Sequence, residues 1–247
     1  MDPSEYRTIY SVEDRHWWYA GMRHITLAVL DETYRGRSDL EILDAGSGTG
    51  AAMAYLSPYG RVTGIDFSPL ALGFCRERAL TRLGQASVTA LPFTAASFDL
   101  VTSFDVLYHR AVGDYRDALR EFYRVLRPGG RLLLRLPAYD RLRGRHDAVI
   151  HTARRFTTGD LDISLHEIGF AVERLTYANT ILFPVALAKR LAEPLVPAPA
   201  GHQSDIAPNP EWFDKTLGAV LGAEARWLRR RDLPFGLTVV ALARKPL

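Results

Sequence analysis

Residues 43–68 read LDAGSGTGAAMAYLSPYGRVTGIDFS. An apolar run ends at Asp44, a glycine-rich turn follows, and about twenty residues later a second apolar run ends at Asp66. A helical stretch between them gives a strand–turn–helix–strand unit. In a doubly wound sheet, ligands bind beyond the carboxyl ends of the strands, at the switch point beside the first strand. Gly46, Gly48 and Gly50 remove Cβ atoms there, so a ligand can lie directly on the backbone. Asp66 can accept hydrogen bonds from both hydroxyls of a ribose. A tight strand–helix turn with a helix-capping aspartate accounts for the same residues without any ligand.

Gly46, Gly48 and Ala51 satisfy the permissive dinucleotide fingerprint. Dinucleotide-binding strands usually run apolar up to the first glycine, whereas here Asp44 intervenes. A carboxylate beside the loop repels a pyrophosphate and can pair with an ammonium group. That favours a ligand with an amino-acid tail and no phosphate.

Working outward, apolar runs alternate with helical patterns, as in βαβ units. Strands are expected at 40–46, 61–66, 86–90, 98–104, 131–137, 170–177 and 235–244. Helices are expected after Gly50 to near Pro58, and at 69–82, 114–126 and 157–168. The expected fold is α/β, a Rossmann-like seven-stranded, mostly parallel sheet flanked by helices. An N-terminal cap (1–39) precedes a core (40–177), and a helical lid insertion (178–231) precedes the last strand (232–247). All belong to one domain, 1–247. Within the insertion, a Pro/Ala-rich connection (194–210) leads to a helix with Phe213, Leu217, Val220, Leu221 and Leu228 on one face.

The chain has 247 residues, 47% apolar and 24% charged, with a net charge of +3, ordinary values for a soluble globular protein. Its arginine clusters, at 141–155 and 226–231, read as solvated helix ends, so no nucleic-acid partner is expected. Cys75 is the only cysteine, which excludes an intrachain disulfide and suggests a reducing compartment. It reads as a buried structural thiol. The N-terminus has no signal-peptide character, and the most apolar stretch, ILFPVALA (181–188), falls far short of the ~20 residues a membrane span needs. A cytoplasmic protein without stable membrane insertion is expected, as monomer or homodimer.

Four motifs, LDAGSGTG (43–50), VTGIDFSPLAL (62–72), LPFTAASFDLVTSFDVLYH (91–109) and ALREFYRVLRPGGRLLLRLP (118–137), together resemble the class I S-adenosylmethionine-dependent methyltransferases. EDRHWWYAGMRH (13–24), HDAVIHTARRFT (146–157) and LPFGLTVVALARKP (233–246) extend the resemblance to a bacterial subgroup with an N-terminal His-Trp-Trp motif. The resemblance implies S-adenosyl-L-methionine as cofactor. Asp44, Ala45, Gly46, Ser47, Gly48 and Gly50 would line its methionine and ribose portions, with Asp66 on the ribose and Phe67 on the adenine. The family often has Asp-Ala where this chain has Ser87 and Val88. Ser87 can still accept from the adenine amino group, and the Val88 amide can donate to the ring.

Phe104 and Asp105 fall beside the cofactor's methionine half, although Asp105 could instead cap the following turn. Trp18 would shield the sulfonium and Arg23 would pair with the methionine carboxylate. Alternatively, Trp17 and Trp18 simply pin an N-terminal helix to the sheet. Tyr108 and His109 would face the methyl acceptor. If that acceptor arrives protonated, His109 is the leading candidate base, followed by His146 and His151. His146, Asp147 and His151 offer a two-histidine, one-carboxylate set for a metal, but five-residue spacing is awkward on one helix and no metal is expected. Arg143, Arg154 and Arg155 would either recognise an anionic acceptor or be solvated. The apolar faces of 180–188 and 211–228 suggest a small, partly apolar acceptor such as a natural-product or lipid-like intermediate. Rival functions are cyclisation or elimination with the same cofactor, and a non-catalytic subunit of the same fold.

Overall fold

The computed structural model describes residues 2–193 and 209–247, apart from the side chains of His146 and Leu191. Most of the Pro/Ala-rich connection therefore lies outside the described residues. Seven strands form one sheet: β1 (Leu40–Ala45), β2 (Gly60–Asp66), β3 (Leu83–Gln85), β4 (Phe98–Phe104), β5 (Leu126–Pro137), β6 (Ala171–Ala178) and β7 (Thr238–Arg244). Their order is β3-β2-β1-β4-β5-β7-β6. The first five run parallel, and β7 is antiparallel to both β5 and β6. All but one residue of β1 are buried, as expected of a strand covered on both faces.

The helices are α1 (Pro3–Val12), α2 (Trp17–Tyr34), α3 (Ala51–Leu56), α4 (Pro69–Glu77), α5 (Tyr115–Val125), α6 (Arg145–Val149), α7 (Thr158–Ile168), α8 (Phe183–Ala192) and α9 (Glu211–Leu228). Side-chain caps start several of them. Ser68 caps α4 with proline at its first position, and Thr157 and Asp160 form a reciprocal capping box on α7. One face of the sheet packs α5 and α7 through Leu119, Phe122, Leu161 and Leu165. The other packs α2 and α9 through Met22, Ile25, Leu221 and Leu228. A smaller cluster of Tyr6, Ala71 and Phe74 fastens α1 to α4.

The structure departs from the sequence expectations in four places. The third strand is 83–85, not 86–90, so Ser87 and Val88 sit in the loop beyond it. Helix α4 stops at Glu77 instead of 82. Arg78 leaves the helix to reach the Thr49 carbonyl (3.0 Å) and Glu13 (2.8 Å), and Ala79 turns the chain at φ +59°. Strand β5 begins at Leu126, which pairs with Phe98 of β4, and Gly129 and Gly130 pair with Lys245. Finally, β7 begins at Thr238, with 235–237 still loop.

Candidate functional site

A cavity of about 1220 Å³ opens where β1, β2, β4, β5 and β6 end and β7 begins. That is the carboxyl edge of the parallel strands, centred on the order reversal between β1 and β4. Its floor is the turn after β1. The Gly46 and Ser47 amides both donate to the Ile65 carbonyl at 2.8 Å, which draws the turn over the end of β2. At Gly48, with φ +52°, an added Cβ would meet no atom within 4 Å. The bare backbone therefore faces open space, a cradle that a side chain would fill. Gly46 instead permits a close approach, since a Cβ there would lie 2.2 Å from Val106 Cγ2.

Two carboxylates flank this turn. Asp66 Oδ2 accepts from the Gly48 amide (2.9 Å) and Oδ1 from the Ser68 amide (2.8 Å). Each oxygen retains a lone pair for a ligand, and burial raises the carboxyl pKa. Asp44 is 1% exposed. Its Oδ1 accepts from Thr102 Oγ1 at 2.9 Å, while Oδ2 is buried without a partner among the described residues. Burial pushes this carboxyl up to about 7. A buried carboxylate oxygen without a donor is costly unless something in the cavity supplies one. An ammonium group does so.

Helix α1 closes one side. Glu13, just beyond it, accepts from the Thr49 hydroxyl and from Arg78, and Tyr6 joins the cavity lining. His16 caps α2 by accepting from the Trp18 amide (3.2 Å), and the Trp17 amide donates to Asp214 of α9 (3.1 Å). Both tryptophans line the cavity. The Arg135 guanidinium lies 5.4 Å from the Trp18 ring and 4.8 Å from Phe104. Arg23 lines the cavity and has no ion-pair partner among the described residues.

Beyond Asp44, Gly46, Ser47, Gly48 and Asp66, the lining includes Phe67, Ser87, Val88, Phe104 and Asp105. Phe67 is 70% exposed, a large apolar ring at the mouth. Ser87 is partly committed elsewhere, its hydroxyl lying 2.8 Å from that of Thr89. Asp105 does not cap the next turn. It adopts φ +57° and pairs with Arg135 at 2.8 Å. Two expected residues fall outside the lining. Ala45 is buried in the core, its carbonyl accepting from Ser103, and Gly50 packs beneath Leu80 and Cys75. Cys75 donates to the Gly48 carbonyl (3.3 Å), and burial pushes its thiol up to about 11.

On the acceptor side, Tyr108 and His109 line the cavity, whereas His151 is exposed and off the lining. The side chain of His146 lies outside the described residues. His109 is a poor base. Burial pushes its pKa down to about 4, and Nδ1 accepts from the Ala111 amide (3.1 Å), leaving the neutral ring's proton on Nε2. Burial, with Asp105 and Asp147 nearby, raises the Tyr108 pKa and keeps the phenol protonated. Arg143, Arg154 and Arg155 are engaged within the protein itself. Arg155 forms a buried two-pronged pair with Asp147 (2.9 and 3.0 Å), Arg143 holds Asp140, and Arg154 lies over Tyr115. Among the described residues, no group of three or more His, Cys, Asp or Glu could hold a metal ion, and no helix is long and apolar enough to cross a membrane.

The sequence reading missed Arg135, Glu13, Thr49 and Asn179. Only Arg135 left a legible signal, a charge interrupting the apolar run LLLRLP. Asn179, directly after β6, is 1% exposed and lines the cavity.

A family model described as "Methyltransferase domain" matches residues 43–134. Over 101 residues the chain is 41% identical to a demethylmenaquinone methyltransferase of Thermus thermophilus, covering 38% of this chain and 45% of that protein. It is 42% identical over 97 residues to the malonyl-[acyl-carrier protein] O-methyltransferase of Salmonella typhimurium, covering 38% of each. The match thus spans less than half the length of these curated relatives. A chain from the complex between the Haloferax volcanii Trm112 methyltransferase activator and a methyltransferase superposes with a TM-score of 0.63 at 21% identity. That superposition covers 99% of this chain and 96% of the other, and the likeness is one of fold. The stretch 43–134, from the Asp44 strand end into β5, is thus the part of the chain that matches a methyltransferase domain.

Proposed function

We propose that this protein transfers a methyl group from S-adenosylmethionine to a small, partly apolar acceptor. The observation that carries the reading is the unpartnered Asp44 Oδ2, buried beside the bare Gly48 backbone. An ammonium group answers the first, and a nucleoside lying on the backbone answers the second. Asp66 would hold the ribose hydroxyls with its remaining lone pairs, and Phe67 would cover the adenine. Arg23 is the cation for the methionine carboxylate.

When bound, the cofactor supplies an electrophilic methyl on a sulfonium. The chain's own task is alignment and exclusion of water, which in ideal cases contribute up to ~7–11 kcal/mol. Trp17 and Trp18 wall the cavity from the α2 side, and α1 covers the glycine turn. Tyr108 stays protonated and His109 stays neutral, so both orient the acceptor as donors and neither takes its proton. An acceptor that needs little help from a base fits this environment. The far half of the cavity, lined by Leu182, Val185, Phe213, Leu217 and Leu237, supports a partly apolar molecule. Two relatives are named for demethylmenaquinone and malonyl-[acyl-carrier protein]. The lone buried thiol is consistent with work in the cytoplasm.

Incubation with methyl-labelled cofactor and a panel of quinol, phenol, carboxylate and acyl-carrier acceptors tests this. Label in one acceptor class is the expected result. Methylthioadenosine released without transfer would redirect the assignment to elimination or cyclisation. Calorimetry with S-adenosylhomocysteine tests the cofactor site separately, and no binding would remove it.

A further inference from the structure

The far end of the cavity carries a second orphaned polar atom. Asn179 follows β6 in the left-handed region at φ +61° and is 1% exposed. Among the described residues its Oδ1 is buried with no hydrogen-bond partner, yet the residue lines the cavity. The turn that presents it is clamped from behind. Glu224, a carboxylate of α9 only 2% exposed, accepts from the amides of Asn179, Thr180 (2.8 Å) and Ile181 (3.1 Å). Three amides gathered on one carboxylate fix the backbone and, with it, the direction of the side chain. The same cavity is lined by Leu182, Val185, Ala186, Leu217 and Leu237, together with Lys189, Arg190 and Thr238. Val185 is 70% exposed, an apolar surface open to the cavity mouth.

The sheet order puts this group far from the cofactor's sugar acid. Asp66 ends β2, three strands before β5 in the order of the sheet, while Asn179 ends β6 at the opposite edge. A buried carbonyl oxygen left unpaired in a rigid turn is complemented by a donor brought in from the cavity.

We infer that Asn179 is a specificity-determining residue of the acceptor site, selecting partly apolar molecules that present a hydroxyl or N–H to its amide oxygen. This rests on the proposed reading of the far half as the acceptor site. Asn179 acts by positioning the bound molecule, and no proton leaves the acceptor through it.

The test uses the full chain saturated with S-adenosylhomocysteine and two probes, para-pentylphenol and its methyl ether, para-pentylanisole. Dissociation constants are measured by calorimetry for the wild type and for Asn179→Gly, which keeps a left-handed backbone accessible. The expected result is that the wild type binds the phenol about tenfold more tightly than the ether, a difference set by one hydrogen bond. Asn179→Gly erases that preference while its melting temperature and S-adenosylhomocysteine affinity stay close to wild type. The inference is overturned if the wild type binds both probes equally, binds neither, or keeps its preference as Asn179→Gly. Should that variant fold poorly, equal binding of the two probes by the wild type would still overturn the inference. Loss of S-adenosylhomocysteine binding in the wild type would count against the cofactor reading instead, and the probe comparison can be made without it.

Discussion

The Arg135 guanidinium on β5 reaches the Asp105 carboxylate at 2.8 Å, across the ends of two neighbouring parallel strands. Arg135 is only 8% exposed, and its remaining surface is covered by the Trp18 and Phe104 rings. One buried cation thus joins the sheet, the strained Asp105 backbone and helix α2, which walls the cavity.

Removing one partner of such a pair leaves the other charge buried and uncompensated. Arg135→Met should therefore destabilise the fold by roughly 3 kcal/mol, read from urea unfolding. Arg135→Met combined with Asp105→Asn should recover most of that loss, because no unpaired charge remains. Equal destabilisation in the single and double variants would count against the pair.

Stability should depend on pH through two groups that work in opposite directions. Asp44 is pushed up from 3.8 to about 7, so the fold keeps a proton that the unfolded chain has already lost. The ligand-free protein loses that stability as pH rises from about 4 to about 7. His109 is pushed down from 6.5 to about 4, so its contribution is lost as pH falls through that range. Chemical denaturation against pH should show Asp44→Asn losing the first dependence and His109→Asn the second. Asparagine also keeps the cap on the Ala111 amide, so His109→Asn should otherwise fold normally.

Cofactor affinity should follow the same carboxylate. A bound ammonium favours ionised Asp44, so S-adenosylhomocysteine should bind more tightly as pH rises, approaching tenfold per unit below about 7 and levelling above it. Calorimetry at pH near 6.5 in buffers of different ionisation heat should detect a released proton. Asp44→Asn should abolish the release.

Asp66→Ala should weaken S-adenosylhomocysteine binding by about 2 kcal/mol, through lost ribose hydrogen bonds and the unfastened Gly48 amide. An unchanged dissociation constant would take Asp66 out of the site.

Helices α2 and α9 meet so closely at Gly21 that a Cβ would lie 2.2 Å from Leu221 Cδ1 and 2.5 Å from its Cβ. Gly21→Ala should cost roughly 2 kcal/mol by forcing the helices apart. Truncating Leu221 to alanine in the same chain should relieve only part of the clash, because its Cβ stays 2.5 Å from the added methyl, and Leu221→Gly should relieve more, as double-mutant cycles would reveal.

Much of this molecule was legible locally. Seven strands and their mostly parallel arrangement follow from periodicity, whose effects act within a few positions along the chain. The glycine turn was legible for the same reason, since backbone conformation is a local property. Element ends were read less well where a distant partner intervened. Arg78 broke α4 early to reach Glu13 and Thr49, and the third strand shifted to 83–85 to pair with Gly64, Ile65 and Asp66.

Among the site residues the division is sharper. Asp44, Gly46, Gly48 and Asp66 announce themselves, because they sit within one βαβ unit whose geometry brings adjacent strand ends together. His109 was legible as a cavity residue but not as a neutral one, because its pKa is set by burial and by a local amide bond. The sequence by itself determined the parallel sheet and the cradle at its edge, since short-range periodicity and backbone freedom decide both. Only the tertiary structure decided that Arg135 spends its charge on Asp105 and that Glu224, 45 residues away, clamps Asn179 toward the cavity. Burial and pairing are relations between elements remote along the chain, and solvent exclusion arises only once those elements have packed.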